Sequence, residues 1–184
     1  MTIASKLQLT LAIIKPHIVK NPISSQKIRE IIISSNFKIV KSRRKIISLE
    51  EANTFYGEHK EKFFYKRLVS FMTSGPSDIM ILAKENAIKD WRQLMGPTKV
   101  FKAQFEAPES IRGQFGLSDT RNASHGSDSE ESARREIGIF FPSFDFDKWY
   151  QEDEPLFRSN KADLCLEQFL HLPVTRYRID LKSF

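Results

Sequence analysis

Short apolar runs alternate with amphipathic stretches along most of the chain, and the alternation predicts strands and helices in turn. Residues 9–14 (LTLAII) are apolar apart from one threonine and stop at Lys15-Pro16, which reads as a buried strand ending in a polar turn. Asn21-Pro22 then opens a helix whose Ile28, Ile31 and Ile32 share one face. A second strand-like pattern runs from Phe37 to Ile47. Ser48 with Glu51 three residues on forms a capping-box signature and starts a helix through Phe55 and Tyr56. Residues 63–72 (FFYKRLVSFM) continue helical until Ser74-Gly75-Pro76 ends them. Residues 79–83 (IMILA) read as a further buried strand. Ala87, Ile88, Trp91, Leu94 and Met95 then make a helical stripe closed by Gly96-Pro97. From 97 to 120 the periodicity is lost, and a long loop is expected. A short segment, 121–125, precedes Gly126. Asp128 or Ser129 can cap a last helix through Ile137, Phe140 and Phe141, stopped by Pro142.

The order β-α-β-α-β-α-β predicts an α/β sandwich with a sheet of about four strands. The pattern leaves parallel and antiparallel arrangements open. Residues from 143 on (SFDFDKWYQEDEP) are aromatic and acidic, as in an appended arm. Residues 164–184 combine a short apolar helix candidate with Arg176-Tyr177-Arg178.

Composition narrows the class without choosing a function. At 184 residues and 40% hydrophobic, the chain suits one packed domain and not global disorder. No apolar run approaches the roughly 20 residues of a membrane span. Neither a secretory signal nor an Arg-rich transit peptide is written at the N-terminus. Cys165 is the single cysteine, which excludes an internal disulfide framework and a Cys-rich zinc module and suggests a reducing, intracellular setting. The net charge of +6 suits anionic partners such as nucleotides, nucleic acid or acidic lipid. Neither a G-x-G-x-x-G nor a G-x-x-x-x-G-K-S/T run exists, so phosphates would have to be bound by side chains.

Among the histidines, His17, His59 and His171 have no distinctive setting, whereas His125 lies in Arg121-Asn122-Ala123-Ser124-His125-Gly126-Ser127-Asp128-Ser129. There a glycine turn feeds a helix start. Gly126 would leave room for a substrate to approach the ring. Ser127 supplies a hydroxyl, and the helix N-terminus favours negative charge nearby. Glu136 could reach back and hold one ring nitrogen, deciding which nitrogen is the nucleophile. A neutral imidazole can attack phosphorus without a separate base. Arg112 and Arg121 would offset charge on the phosphoryl oxygens. The competing reading is a His-Gly turn with a capping Ser-Asp. Lys15 at a strand end suits a phosphate or a ribose hydroxyl, or is simply solvated. In Phe63-Phe64-Tyr65 part is core and one exposed ring could stack on a base. Arg92 and Thr98 read equally as a surface charge and a turn hydroxyl. The run 41–45 (KSRRK) reads as a solvated strand face; it lacks the interleaved aromatics of single-strand nucleic-acid binders, so nucleic acid is not an expected partner.

The segment Asn122-x-x-His125-Gly126-Ser127-Asp128-Ser129 resembles the signature of the nucleoside diphosphate kinases. The residues LAIIKP at 11–16, Tyr56 with Phe64, Ser74-Gly75-Pro76, Arg92, Gly96-x-Thr98 and Ile111-Arg112-Gly113 follow in family order and spacing. The resemblance covers about residues 7–150, with 151–184 as a C-terminal extension. The wording is closest to the divergent sixth-type branch, through Leu94-Met95-Gly96-Pro97-Thr98, Ala107-Pro108-x-Ser110-Ile111-Arg112-Gly113 and Asp119-Thr120-Arg121-Asn122. The resemblance implies an α+β, ferredoxin-like sandwich with a four-stranded antiparallel sheet covered by helices. It also implies a ping-pong exchange: ATP with magnesium would phosphorylate His125, and a nucleoside diphosphate would collect the phosphoryl group. Phe64 would stack on the base, Lys15 and Asn122 would hold the ribose hydroxyls, and Arg92, Thr98 and Arg112 would bind phosphate oxygens. Tyr56, Ser127 and Glu136 would orient His125. Magnesium (Mg2+) would ride on the nucleotide, with no dedicated metal site in the protein.

Departures from the common family form are specific. His17-Ile18 replaces Asp-Gly after Lys15-Pro16, the stretch between Thr98 and Arg112 is longer, and Val100 replaces a loop proline that supports hexamer contacts. These changes fall on the nucleotide-capping loop and on assembly surfaces, so they put the family's usual hexamer in doubt and leave the oligomeric state open. They also leave an alternative function, a nucleotide-binding interaction module whose activity is weak or depends on a protein partner. The branch includes mitochondrial members, and the basic charge fits that compartment, with the cytoplasm as the alternative.

Overall fold

The computed structural model describes residues 5–174; residues 1–4 and 175–184, including Arg176-Tyr177-Arg178, lie outside the described residues. At its centre is an antiparallel sheet of order β2-β3-β1-β4, built from β1 (Gln8–Ile14), β2 (Lys38–Ile46), β3 (Pro76–Lys84) and β4 (Ser124–Gly126). Between the strands run α1 (Pro16–Val19), α2 (Pro22–Ser34), α3 (Leu49–Phe55), α4 (Tyr65–Met72), α5 (Ala87–Met95), α6 (Val100–Glu106) and α7 (Ile111–Phe115), with α8 (Glu130–Phe140) after β4. This is the ferredoxin-like sandwich. Every pairing in the central sheet is antiparallel, which removes the parallel option the pattern had left open.

Strand β1 lies between β3 and β4 and is buried on both faces, which is why its sequence is nearly all apolar. Leu9, Leu11 and Ile13 face one layer with Phe55, Ile137, Phe140, Trp149 and Phe157. Ala12 and Ile14 face the other with Ile28, Ile32, Trp91 and Met95. The capping box at Ser48 is formed from both sides: Ser48 Oγ accepts the Glu51 N–H and Glu51 accepts the Ser48 N–H. Ser129, not Asp128, caps α8.

Two expectations need correction. The 97–120 stretch is not one irregular loop, because it contains α6 and α7. Val100 and Ala103 are buried on one side of α6, and the Ser110 hydroxyl caps α7 by accepting the Gly113 N–H. Helices this short carry too few apolar repeats to read as periodic. The helix candidate after Leu164 is instead a hairpin, β5 (Ala162–Cys165) and β6 (Leu170–Pro173), turning through Phe169 at φ 49°.

The aromatic stretch after 143 is built into the molecule. Helices α9 (Phe146–Lys148) and α10 (Glu154–Arg158) flank a wider helical turn at Trp149–Asp153, and Trp149 and Phe157 share the core of β1. Glu154, 1% exposed, accepts the Leu7 N–H at 2.8 Å. His171 on β6 accepts the Ile39 N–H of β2 through Nδ1 at 2.9 Å. That bond needs a neutral ring, and burial pulls His171 down to about 4.

Candidate active site

Strand register decides which way the signature residues point. Ile13 pairs with His125 and Ala12 with Gly126, so the imidazole faces the α3–α8 layer while Gly126 faces α5. A Cβ at Gly126 would collide with the Trp91 indole. The expectation that Gly126 makes room for substrate is therefore corrected: it makes room for Trp91, whose Nε1 donates to the His125 carbonyl at 3.0 Å. Just upstream, Ala123 is fully buried at φ 72°, left-handed backbone that is uncommon for a residue with a Cβ. Its carbonyl accepts the Lys15 N–H at 3.0 Å, tying the turn to the end of β1.

Helix α8 buries Ala133, Glu136, Ile137 and Phe140 on one face, which delivers a carboxylate to the imidazole. Glu136 Oε2 lies 3.0 Å from His125 Nε2 and accepts the Ser127 hydroxyl at 2.6 Å. Ser127 in turn accepts the Leu11 N–H at 3.1 Å. With the carboxylate on Nε2, the proton of the neutral ring sits there and the lone pair is on Nδ1. Phe55 meets the ring edge-on at 4.8 Å and holds its plane. Tyr56 is buried beside this group with no partner for its hydroxyl, and burial together with the Glu136 charge pushes it well above the usual phenol range, so it stays a proton donor.

His125 opens into a cavity of about 630 Å3, within the usual range for small-molecule sites. Lys15, Tyr56, Phe64, Arg92, Thr98, Arg112, Asn122, His125 and Glu136 all line it. Ser127 stands directly behind, reaching the cavity through Glu136. Lys15 is not solvated: its ammonium donates to Asn122 Oδ1 at 2.6 Å and to the Thr120 carbonyl at 3.4 Å. Burial and the Arg112 charge lower it to about 7. Arg112 donates to the Gly96 and Ser124 carbonyls, and burial beside Arg92 lowers it to about 10. Its Nε is left without a partner. Asn122 Nδ2 donates to the Thr98 carbonyl at 3.3 Å. Two or more cations that share one cavity at a cost to each other make an anion site.

Arg121, expected beside the phosphoryl group, is not brought there; its guanidinium lies over the Phe71 ring. Sequence reasoning passed over Phe55 and Arg135, set His59 aside as a histidine without a distinctive setting, and left open which ring of Phe63-Phe64-Tyr65 is exposed. Phe55 packs on His125, and His59, Phe63, Phe64 and Arg135 line the cavity wall. The capping-box helix ending at Phe55 and the charged position next to Glu136 were the available signals. His17 stays out of the cavity lining; its ring nitrogens are buried, and burial with the Lys15 charge pulls it down to about 4. Of the basic run on β2, Arg44 is bidentate with Asp78, Lys45 pairs with Glu51, and Arg43 donates to the Phe140 carbonyl.

The family model described as nucleoside diphosphate kinase matches residues 8–146. The chain belongs to the nucleoside diphosphate kinase family. It is 53% identical over 165 residues to nucleoside diphosphate kinase 6 of Homo sapiens, covering 90% of this chain and 89% of that one. For nucleoside diphosphate kinase 6 of Mus musculus the figures are 51% over 165 residues, 90% and 87%. These relatives put it with the sixth-type branch. The Aquifex aeolicus nucleoside diphosphate kinase superposes with a TM-score of 0.70 at 40% identity, covering 73% of this chain and 95% of that chain. A halophilic nucleoside diphosphate kinase from Halobacterium salinarum, solved in complex with CDP, gives 0.68 at 34%, covering 78% and 97%. Within the family's matched span lies the whole His125 cavity.

Proposed function

We propose that the chain is an active nucleoside diphosphate kinase that transfers a terminal phosphoryl group through His125. One observation carries this reading: Glu136 occupies Nε2, so Nδ1 presents a lone pair beside Lys15, Arg92 and Arg112. In the first half-reaction Nδ1 attacks the γ-phosphorus of a nucleoside triphosphate such as ATP. The N–P bond forms as the bond to the β–γ bridging oxygen breaks, and the donor leaves as its diphosphate. The ring gains positive charge, which Glu136 offsets through the retained Nε2–H. In the second half-reaction a terminal oxygen of an acceptor diphosphate attacks phosphorus, the N–P bond breaks, and His125 returns neutral. The net result is synthesis of a non-ATP nucleoside triphosphate.

The remaining assignments are carried over from the family resemblance, and the shared cavity of these side chains supports them. Arg92, Thr98 and Arg112 bind phosphate oxygens, Lys15 and Asn122 the ribose hydroxyls, and Phe64 the base. Tyr56 offers its unpartnered hydroxyl toward the group on His125. Magnesium would arrive on the nucleotide, since it is commonly held through substrate phosphates. When bound it would neutralise charge between the β and γ phosphates.

Incubating the purified chain with ATP and magnesium should give an acid-labile phosphoryl adduct by intact mass. Adding GDP should discharge it as GTP appears. A chain that binds nucleotide but forms no adduct in isolation overturns this reading in favour of a partner-dependent module. That second reading is favoured by α6, where Phe101 and Phe105 stand one turn apart at 83% and 84% exposure.

A further inference from the structure

The cavity ends outward in three rings the phosphate chemistry does not use. Phe64 is half-buried; His59 lies 5.7 Å from it, and Phe63 lies 5.5 Å away with its plane at 82° to Phe64. Phe63 lines the same cavity yet is 92% exposed, more than any other large hydrophobic side chain among the described residues. Its position is not loose. The Lys62 N–H bonds to the His59 carbonyl, Tyr65 N–H to Lys62, and Leu68 N–H to Phe64, so Phe63 sits inside a continuous run of turns entering α4. Tyr65 is further tied by its hydroxyl to Asn53 at 2.8 Å.

From this corner we infer that Phe63 is a specificity-determining residue that favours purine over pyrimidine nucleotides in the site. The inference rests on the phosphotransfer reading, in which Phe64 carries the base. A base lying flat on Phe64 is parallel to that ring and therefore nearly perpendicular to Phe63. It turns its hydrogen-bearing edge toward the negative face of Phe63, the favoured edge-to-face geometry. Phe63 is the exposed ring of the cavity that the buried Lys15 and Arg112 also line, so it marks the solvent side, where the far edge of a base arrives once its phosphates lie on the buried cations. A purine extends one ring further from its ribose than a pyrimidine. It reaches the Phe63 wall, and a pyrimidine stops short. Phe64 alone is indifferent to base identity, because every base has a π-face; the wall supplies the length criterion.

The test is equilibrium binding of GDP and CDP, each with magnesium, to the full chain and to its Phe63→Ala and Phe63→Tyr variants. Since the ring is exposed, both variants should fold, and unchanged circular dichroism and melting temperature check that. The wild-type chain should bind GDP more tightly than CDP. Phe63→Ala should weaken GDP about fivefold and leave CDP within about twofold, and Phe63→Tyr should restore GDP binding. Equal loss on both nucleotides, or none on either, overturns the inference while the phosphotransfer reading stands. A wild-type chain that takes up neither nucleotide overturns both.

Discussion

The two ends of the cavity differ in how much of their geometry exists before any nucleotide arrives. At the inner end His125, Ser127, Glu136, Lys15, Asn122 and Arg112 are each bonded to another of the group or to nearby backbone, and all but His125 are buried. At the outer end His59, Phe63 and Phe64 touch one another only through ring contacts, and Phe63 is open to solvent. The contrast follows from the demands on each end. A phosphoryl group in transfer needs donors fixed in advance, because reorganising them would raise the barrier. A base held by stacking tolerates variation, because the attraction has no directional bond to satisfy.

The sharpest break of the inner end is His125→Ala, which should lower phosphoryl transfer by at least about a thousandfold, the scale of losing a covalent nucleophile. Nucleotide binding and melting temperature should change little, as the ring contributes no bond to the nucleotide's base or ribose in the proposed pose. Binding calorimetry beside the two-stage transfer assay separates the two effects. Next comes Glu136→Gln. The amide can still contact Nε2, but it no longer offsets the imidazolium that forms during transfer. Turnover should fall about 10–100-fold with KM nearly unchanged. A loss confined to KM would mean that Glu136 serves binding and not the charge on His125.

Legibility in the sequence follows the same divide. Much of the inner end could be read because Asn122, His125, Ser127 and Glu136 sit in one stretch, 122–136, because Lys15 closes an apolar run, and because strands and a capped helix are written in residue types. The direction of Gly126 could not be read, since it depends on the pairing of Ala12 with Gly126, which no local pattern specifies. Helices α6 and α7 escaped for a related reason: their stability comes from burying Val100, Ala103 and Ile111 as the two helices pack on each other and α7 on α5, not from a repeat of their own. Arg121 was credited to the cavity by sequence proximity to His125, yet cation–ring contact with Phe71 takes it elsewhere. The burial of Trp149 and Phe157 in the core of β1 is likewise a tertiary fact, invisible in a stretch as acidic as 145–154.

Lys15 gives a pH-dependent way to probe the inner end. In the free protein burial and Arg112 hold it at about 7, so at pH 8 it is mostly neutral. A polyanionic nucleotide favours the charged ammonium and raises its pKa on binding. Binding near pH 8 should therefore take up a proton, and affinity should fall as pH rises above 7, approaching tenfold per pH unit until the bound-state pKa is reached. Calorimetry in two buffers of different ionisation enthalpy measures the uptake directly. Lys15→Met should abolish it. Proton release, or none, would place the ammonium out of contact with the anionic ligand.

The smallest expected effect belongs to the outer end and is the most direct check of the contrast between them. Phe64→Leu keeps an apolar surface under the base but removes the π-face, so it deletes the aromatic part of the interaction and little else. The loss should be about two- to tenfold in KM, equal for purine and pyrimidine acceptors, with kcat unchanged. Equality matters because Phe64 meets the flat of the base, which all bases share, whereas Phe63 meets an edge whose reach differs. A drop in kcat instead would mean that the rings help to aim the phosphate at His125. The outer end would then belong to the preorganised machinery, and the division between a fixed chemical end and a permissive base end would fail.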